Sequence, residues 1–285
     1  MTDQTNQSVS SGTNSRAKMN GSTKSGRRGL NIWAWIIFII GIIYFFLPLF
    51  STFLFSLTMI KDQLSFEAYR VAFSDPKFYQ NFGFSLLWAI TTIIVSLLLI
   101  VPTAYWVHWR MPRLRPVVEF VTLMPFVVPA VVLTFGMIRL YGRPPILLIG
   151  SPILLIAGYV VLSFPYMFRA VDTGLRAIDV RTLTEAALSL GAGWRIILFQ
   201  VIFPNLRVAI LSGVFLTFAI VMGEFTFASL LSWPAFGPYI EEMGSMRAYV
   251  PQALSVISFL MTWISIGVIQ RIGRGAPTQE IAGAH

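Results

Sequence analysis

Long apolar stretches, separated by short polar segments, run through most of the chain. A helix needs roughly 20 apolar residues to cross the hydrocarbon core of a bilayer, and six stretches reach about this length. They cover residues 29–60, 78–107, 120–138 (starting near Pro116), 144–168, 208 to about 231, and 248–270. The pattern predicts an all-α membrane protein with about six transmembrane helices.

The composition supports this prediction and excludes several kinds of site. Of the 285 residues, 56% are hydrophobic and 12% are charged, whereas soluble domains carry about 25% charged residues. Because the chain has no cysteine, it offers no disulfide, thiol nucleophile or iron–sulfur site. The net charge of +9 comes from basic residues beside the apolar stretches, which disfavours nucleic-acid binding.

The basic residues between the stretches also predict the orientation, because cytoplasmic loops carry an excess of Lys and Arg. Placing both termini in the cytoplasm puts 15 of the 21 Lys and Arg residues on that side. We therefore expect a multi-pass protein of the cell (inner or plasma) membrane, with a disordered basic cytoplasmic tail at 1–29 and a short cytoplasmic tail at 273–285. Arg139 and Arg143 fall on the outer side in this arrangement, against the trend.

One long polar segment, 169–207, interrupts the series of short loops. Asp179 is a suitable helix cap and Gly191 a suitable helix stop. Between them, apolar residues at helical spacing form a stripe: Leu183, Ala186, Ala187 and Leu190. The pattern predicts a short amphipathic helix, then a second helical stretch over 194–201, and Pro204 at the entry to the fifth span.

A short ordered helix on the cytoplasmic face can lie on lipid or dock into a partner protein. Its exposed side carries few cations, because Glu185 offsets Arg181. This weakens the lipid interpretation and favours docking into a groove on another protein.

The residues of this loop resemble a known motif. Glu185-Ala186-Ala187, three further residues, Gly191, nine further residues and then Val201-Ile202-Phe203-Pro204 are similar to the EAA loop of ABC importer permeases, whose usual ending is Ile-x-Leu-Pro. Three other segments resemble the same family: Met124-Pro125-Phe126-Val127-Val128-Pro129, Ser163-Phe164-Pro165-Tyr166 and Gly223-Glu224-Phe225. The last is similar to the Gly-Glu-Phe of polyamine, ferric-iron and oxyanion permeases.

The resemblance implies a type I importer permease of the polyamine, iron and phosphonate group, with a MetI-like transmembrane domain over 30–272 and a coupling (EAA) loop at about 169–207. Two such subunits, identical or different, pair around a central pathway. Each EAA helix sits in a cleft on a separate ATPase subunit, and an extracytoplasmic binding protein delivers the solute. We expect a small polar solute, with a polyamine such as spermidine or putrescine favoured.

The same resemblance implies that ATP is bound by the partner ATPase subunits. We therefore expect no cofactor, metal site or catalytic residue in this chain, which is then a non-catalytic subunit of an ATP-hydrolysing complex.

The candidate site residues fall into two groups. The coupling role is assigned to Glu185, Ala186, Ala187, Gly191 and Pro204, and the candidates for the pathway or the subunit interface are Pro125, Pro129, Gly223 and Glu224. A charge within an apolar span is costly, so Glu224 either faces the pathway or interface, or is a structural acid hydrogen-bonded to a neighbouring helix. Gly213 and Gly223 are expected to allow close helix packing, and the prolines to kink their helices.

Two other functions compete with an ATP-driven permease. A self-sufficient secondary transporter or channel would carry more intramembrane ionisable groups and an internal repeat, whereas the spans contain one acid and no obvious repeat. An intramembrane protease is disfavoured because the only histidines, His108 and His285, have no metal-ligand spacing.

Overall fold

The structure, a computed structural model, describes residues 32–61 and 63–273. The tail predicted at 1–29, and all but the first residue of the tail predicted at 273–285, lie outside these residues. The chain divides into two compact units, Met1–Phe46 and Leu47–His285. The described residues of the first unit form only the beginning of the first helix, and the sites described below lie in the second.

Helices make up almost all of the described residues, which confirms the predicted all-α membrane class. They are α1 (Ile32–Leu57), α2 (Glu67–Ser74), α3 (Pro76–Arg110), α4 (Arg115–Val127), α5 (Ala130–Tyr141), α6 (Pro152–Arg176), α7 (Val180–Ser189), α8 (Trp194–Ile196), α9 (Phe203–Asn205), α10 (Arg207–Gly223), α11 (Thr226–Leu230), α12 (Phe236–Met246) and α13 (Val250–Gly273). A 3-10 turn at Pro112–Leu114 precedes α4, a π-helix at Ile197–Ile202 joins α8 to α9, and a small antiparallel hairpin pairs β1 (Gly142–Arg143) with β2 (Ile146–Leu147).

The predicted number of about six transmembrane helices is not reproduced, because the helices are more numerous and several are shorter. Among the described residues, three helices are long and apolar enough to cross a membrane alone: α1, α3 and α6. Two bent pairs of shorter helices raise the number of possible spans to five, and α13 contributes a shorter apolar helix over Val250–Ser265. The second and sixth predicted spans correspond to α3 and α13.

The third predicted span, 120–138, is two helices rather than one. The axes of α4 and α5 differ by 100°. Pro129 has no N–H group to continue a helix, and its ring drives the preceding residue towards an extended conformation. Val128 adopts this conformation, with φ −90° and ψ 116°, whereas Pro125 stays inside α4. Pro129 therefore breaks this span where a kink was predicted.

The fifth predicted span, 208 to about 231, begins close to the predicted position but is interrupted before its predicted end. α10 begins at Arg207 after a 78° bend from the helix Trp194–Asn205, and it ends at Gly223. Glu224 is then extended, with φ −76° and ψ 127°, before α11 begins at Thr226. The acid predicted to lie within an apolar helix therefore lies between two helices.

The fourth span is shifted along the chain from the predicted 144–168. α6 begins at Pro152, where the side chain of Ser151 accepts a hydrogen bond from the backbone N of Ile153 at 3.3 Å, and it continues to Arg176. Proline at the first position of a helix loses no hydrogen bond, because an N–H at that position has no partner within the helix. The two earlier prolines lie in the β1–β2 connection instead, so the predicted start was wrong and the polar loop is shorter than predicted.

Two short helices that the apolar pattern did not predict, α2 and α12, pack on the start of α3 and on α13. The hydroxyl of Tyr239 on α12 donates a hydrogen bond to Asp75 at 2.9 Å. The backbone N–H of Phe236 donates to Ser85 on α3 at 2.7 Å. These bonds fix α12 to α3 at the end of the bundle opposite to the long loop.

α6 is the centre of the bundle and packs against α3, α4 and α10. Small residues let α6 and α10 approach closely: a Cβ atom at Gly213 would lie 2.7 Å from the Sδ of Met167, and one at Gly174 would lie 2.6 Å from the Cβ of Ala209. This confirms the packing role predicted for Gly213. Among the described residues of this chain, nothing lies within 4 Å of the Cβ position of Gly223, so the close packing predicted there is not seen in this part of the chain.

Candidate functional site

The helix predicted after Asp179 is α7, and its start is capped as expected. Asp179 accepts hydrogen bonds from the hydroxyl of Thr182 at 2.7 Å and from its backbone N–H at 3.1 Å. The hydroxyl bond is the largest of the causes that hold the pKa of Asp179 below its usual value, because hydrogen bonds to the carboxylate favour its ionised form.

The end of α7 is equally well defined. Gly191 has a φ of +77°, a conformation that residues with a Cβ atom adopt only at a cost. Its N–H donates to Leu188 O at 2.9 Å, and the N–H of Ala192 donates to Ala187 O at 3.0 Å. These are the two hydrogen bonds of a Schellman motif, so the helix stop predicted at Gly191 is confirmed.

The inner face of α7 is joined to α3 by one buried hydrogen bond. The hydroxyl of Thr184 donates to Val180 O at 2.6 Å. It has no second hydrogen to give, so the hydroxyl of Tyr105, 3.0 Å away, is the donor to Thr184. Ala187 on the same face belongs to the buried cluster that includes the second helix of the loop.

The outer face of α7 presents Glu185, Ala186 and Leu190, which we call the docking face. All three residues are exposed, and Leu190 is 88% exposed. Glu185 pairs with Arg181 on its own helix at 2.8 Å, and both side chains lie largely in solvent. None of the described residues covers this face, which is both apolar and acidic, so another molecule can contact it.

The predicted apolar stripe on α7 is therefore only partly correct. Its residues Ala186 and Leu190 point outwards, while Ala187 is buried and Leu183 is half-buried. The buried face consists of Val180, Thr184 and Ala187. A threonine replaces an apolar residue on this face because Tyr105 satisfies its hydroxyl, and the sequence pattern alone does not reveal that partner.

The second part of the loop is one helix, Trp194–Asn205, longer than the predicted 194–201 and with π-helical geometry in its middle. Pro204 lies near its end, and the chain bends by 78° into α10 directly afterwards. The proline predicted at the entry to the fifth span therefore belongs to the end of the loop helix.

Just before the loop, α6 carries a buried ion cluster centred on Asp172, which is 2% exposed. The carboxylate accepts two hydrogen bonds from Arg115, each of 3.1 Å, and one from Arg176 at 2.8 Å. The Nε2 of His108 lies 2.8 Å from the same carboxylate. Because Arg115 begins α4 and His108 lies in the last turn of α3, one acid joins the ends of three helices.

Asp172 was not among the residues predicted from the sequence, because the fourth span was predicted to end before it. Two signals point to it. The acid precedes Arg176 by four residues, a spacing that places both on one helix face. The segment 108–115 also contains three arginines and a histidine but no acid of its own, and so requires one from elsewhere.

For Glu224, the structure provides contacts that fit a structural acid. Its Oε1 accepts a hydrogen bond from the backbone N of Thr226 at 2.7 Å, and its Oε2 accepts one from the backbone N of Phe227 at 2.9 Å. These N–H groups open α11 and have no partner within the helix. Both carboxylate oxygens are thus occupied by the cap of the following helix.

The four candidate pathway residues, Pro125, Pro129, Gly223 and Glu224, do not line a common cavity in the described part of the chain. A cavity of about 840 Å³ opens between α4, α6 and α10, and none of the four is among its lining residues. Its lining includes Pro165, together with Phe126 and Tyr166, whose ring centroids lie 5.1 Å apart in an edge-to-face arrangement. The proline segments thus border this cavity through one proline and two aromatic side chains.

We predict that Asp172→Asn lowers the free energy of unfolding by about 3 kcal/mol, because it removes the buried carboxylate on which two arginines and a histidine converge. The matched control is Glu119→Gln, which breaks the exposed 3.1 Å pair between α4 and Arg169 on α6 and is expected to cost at most about 1 kcal/mol. Unfolding in mixed micelles, followed by circular dichroism, measures both. Equal losses of unfolding free energy in the two variants would show that the Asp172 cluster stabilises the protein no more than the exposed pair does.

A family model described as binding-protein-dependent transport system inner membrane component matches residues 100–273. The molybdenum transport system permease protein ModB of Haemophilus influenzae is 27% identical, over 66% of this chain and 95% of the relative. A probable molybdenum ABC transporter permease protein of Haloferax volcanii is 29% identical, over 65% and 71%. The spermidine/putrescine transport system permease protein PotB of Haemophilus influenzae is 28% identical, over 70% and 75%.

Solved structures share the fold at low sequence identity. A chain of a bacterial ABC transporter involved in the import of alginate has a TM-score of 0.63 at 20% identity, over 84% of this chain and 95% of that one. A chain of the MetNI methionine ABC transporter in an inward-facing conformation has a TM-score of 0.54 at 18% identity, over 67% and 92%. Since the family model also matches more than half of its length, the chain belongs to the family of binding-protein-dependent transport system inner membrane components.

Proposed function

We propose that this protein is the permease subunit of an ATP-driven ABC importer. In this proposal it pairs with a second permease subunit, receives a small polar solute from an extracytoplasmic binding protein, and docks its coupling loop onto a separate ATPase subunit. ATP is bound and hydrolysed by that partner, so this chain contributes no cofactor site. The observation that carries the proposal is the docking face of α7, which is exposed on a helix whose other contacts are satisfied.

The contacts of the loop support a mechanical role for α7. When a docked ATPase moves α7, the Tyr105–Thr184 hydrogen bond transmits the displacement to α3. The Asp172 cluster holds the end of α3 to the ends of α4 and α6. These last two helices border the 840 Å³ cavity, so a movement at the loop reaches the cavity through polar contacts of fixed length.

A self-sufficient transporter has less support from these contacts. Such a protein needs an ionisable group that is free to bind the solute or a coupling ion. The acid of the fifth span, Glu224, has both carboxylate oxygens occupied by backbone N–H groups.

We predict that Leu190→Asp abolishes co-purification of the ATPase subunit while leaving the thermal stability of the permease unchanged. Leu190 is 88% exposed, so the change removes no internal packing and places a charge where the partner must pack. Leu64→Asp is the matched control, because Leu64 is 71% exposed and lies in the segment between α1 and α2. Solute transport by the permease chain alone in liposomes would overturn the proposal.

The proposal includes an orientation in which both termini and α7 lie in the cytoplasm. The natural chain has no cysteine, so Ser189→Cys at the end of α7 and Ser245→Cys in α12 each introduce one exposed thiol. In spheroplasts, an impermeant maleimide is expected to label position 245 at once and position 189 only after permeabilisation. The reverse pattern would place α7 outside and contradict the coupling role.

For the solute, we infer a polyamine-like cation, supported by the similarity to PotB. An oxyanion is the second candidate, because four relatives are named as molybdenum permeases. Titration of the co-purified binding protein with spermidine and with molybdate separates the two. Binding of spermidine alone is expected, and binding of molybdate alone would replace the first candidate with the second.

A further inference from the structure

Three tryptophans meet where α3 ends and the second helix of the loop begins. Trp106 and Trp109 lie in the last turns of α3, and Trp194 is the first residue of α8. The ring centroids are 4.9 Å apart for Trp109 and Trp194, 5.5 Å for Trp106 and Trp194, and 5.6 Å for Trp106 and Trp109. The guanidinium carbon of Arg110 lies 4.4 Å above the ring of Trp109.

Two of the three rings lie at the surface, whereas Trp109 is half-buried and packs against the core. Trp106 is 41% exposed and Trp194 is 44% exposed. Trp88, a buried tryptophan of α3, donates its indole N–H to Pro234 O at 3.3 Å. Within residues 32–61 and 63–273, the indole N–H groups of the surface cluster have no such acceptor. Each therefore has a hydrogen bond to offer to another molecule.

The cluster ends a stripe of exposed residues along α3. Leu99, Thr103, Trp106 and Arg110 follow one another at spacings of four, three and four residues, which places them on one helix face, and all four are exposed. Along this face an aliphatic residue is followed by a threonine, whose hydroxyl donates to Leu99 O at 2.6 Å, and then by an aromatic and a cationic residue. That is the order in which a helix meets hydrocarbon, the interfacial region and anionic headgroups at one side of a membrane.

We propose that Trp106, Trp109, Trp194 and Arg110 form a binding site for the headgroup of an anionic phospholipid. The guanidinium of Arg110 pairs with the lipid phosphate, the indole N–H groups donate to headgroup oxygens, and the aromatic rings cover the upper part of the acyl chains. The site is distinct from the docking face, since Trp194 lies beyond the Gly191 turn and on the next helix.

The bound lipid has a consequence for the coupling loop, and this part rests on the proposed function. Trp194 begins the loop helix only three residues after Gly191, the stop of α7. A lipid that holds Trp194 against α3 therefore keeps the start of the second loop helix, just after the Gly191 turn, at the membrane surface. α7 can then push on the bundle without lifting the loop away from it.

The test measures lipid binding by the full-length permease chain alone, so that no ATPase subunit contributes. Phosphatidylglycerol and phosphatidylcholine are titrated into the detergent-solubilised protein, and bound lipids are counted by native mass spectrometry. We expect the wild type to retain phosphatidylglycerol preferentially. Arg110→Gln is expected to lower the affinity for phosphatidylglycerol about fivefold, the effect of one cation near an anionic headgroup.

Arg247→Gln is the matched control, because it removes the same charge from an exposed residue in a different place, the segment after α12. It is expected to leave phosphatidylglycerol binding unchanged. Trp194→Phe keeps the ring but removes the N–H, and a smaller loss is expected from it. Equal retention of the two lipids by the wild type, or wild-type binding by Arg110→Gln, would refute the site.

A protein partner on this surface gives a different result. In that case Arg110→Gln lowers co-purification of the ATPase subunit while phosphatidylglycerol binding stays at the wild-type level, and the lipid proposal is overturned. Preferential lipid binding by a chain that fails to bind any ATPase would support the lipid site and count against the proposed function alone.

Discussion

The backbone of a membrane protein has no water to satisfy its N–H and C=O groups within hydrocarbon. Every departure from a helix in this chain therefore needs a local substitute. At the break between α4 and α5, Pro129 has no N–H to satisfy. At the break between α10 and α11, the carboxylate of Glu224 takes the place of the missing carbonyls and accepts from the first N–H groups of α11. At the second break the carboxylate thus satisfies the first N–H groups of α11, whereas at the first break proline removes only its own N–H and α5 begins without a side-chain cap.

The same constraint explains why three basic side chains at the loop end of the bundle share one buried acid. Basic residues at the ends of spans orient a membrane protein, but those that face the protein require an acid. Asp172 supplies it for Arg115, Arg176 and His108 together. A single buried carboxylate thereby becomes the point at which α3, α4 and α6 are fixed to one another, next to the loop that is proposed to move them.

Features that depend on a few neighbouring residues could be predicted from the sequence. The all-α class, the cap at Asp179 and the stop at Gly191 belong to this group, because each follows from local backbone chemistry or from the length of an apolar run. The breaks within the third and fifth spans were missed, since hydropathy measures composition and is insensitive to a proline or an acid that interrupts a helix. The inner face of α7 was assigned incorrectly because the partner of Thr184 lies on α3, far away in the chain.

Apolar packing alone would transmit a displacement of α7 to α3 poorly. Hydrophobic contact is non-directional, so a helix held by apolar side chains alone can slide along its neighbour at little cost. A hydrogen bond between two buried hydroxyls loses most of its energy once the distance or angle changes, and leaves unsatisfied groups behind. The Tyr105–Thr184 bond, at 3.0 Å, therefore fixes the register between α7 and α3. This accounts for a polar residue at the centre of the inner face of α7, while the apolar residues Ala186 and Leu190 point away from the bundle.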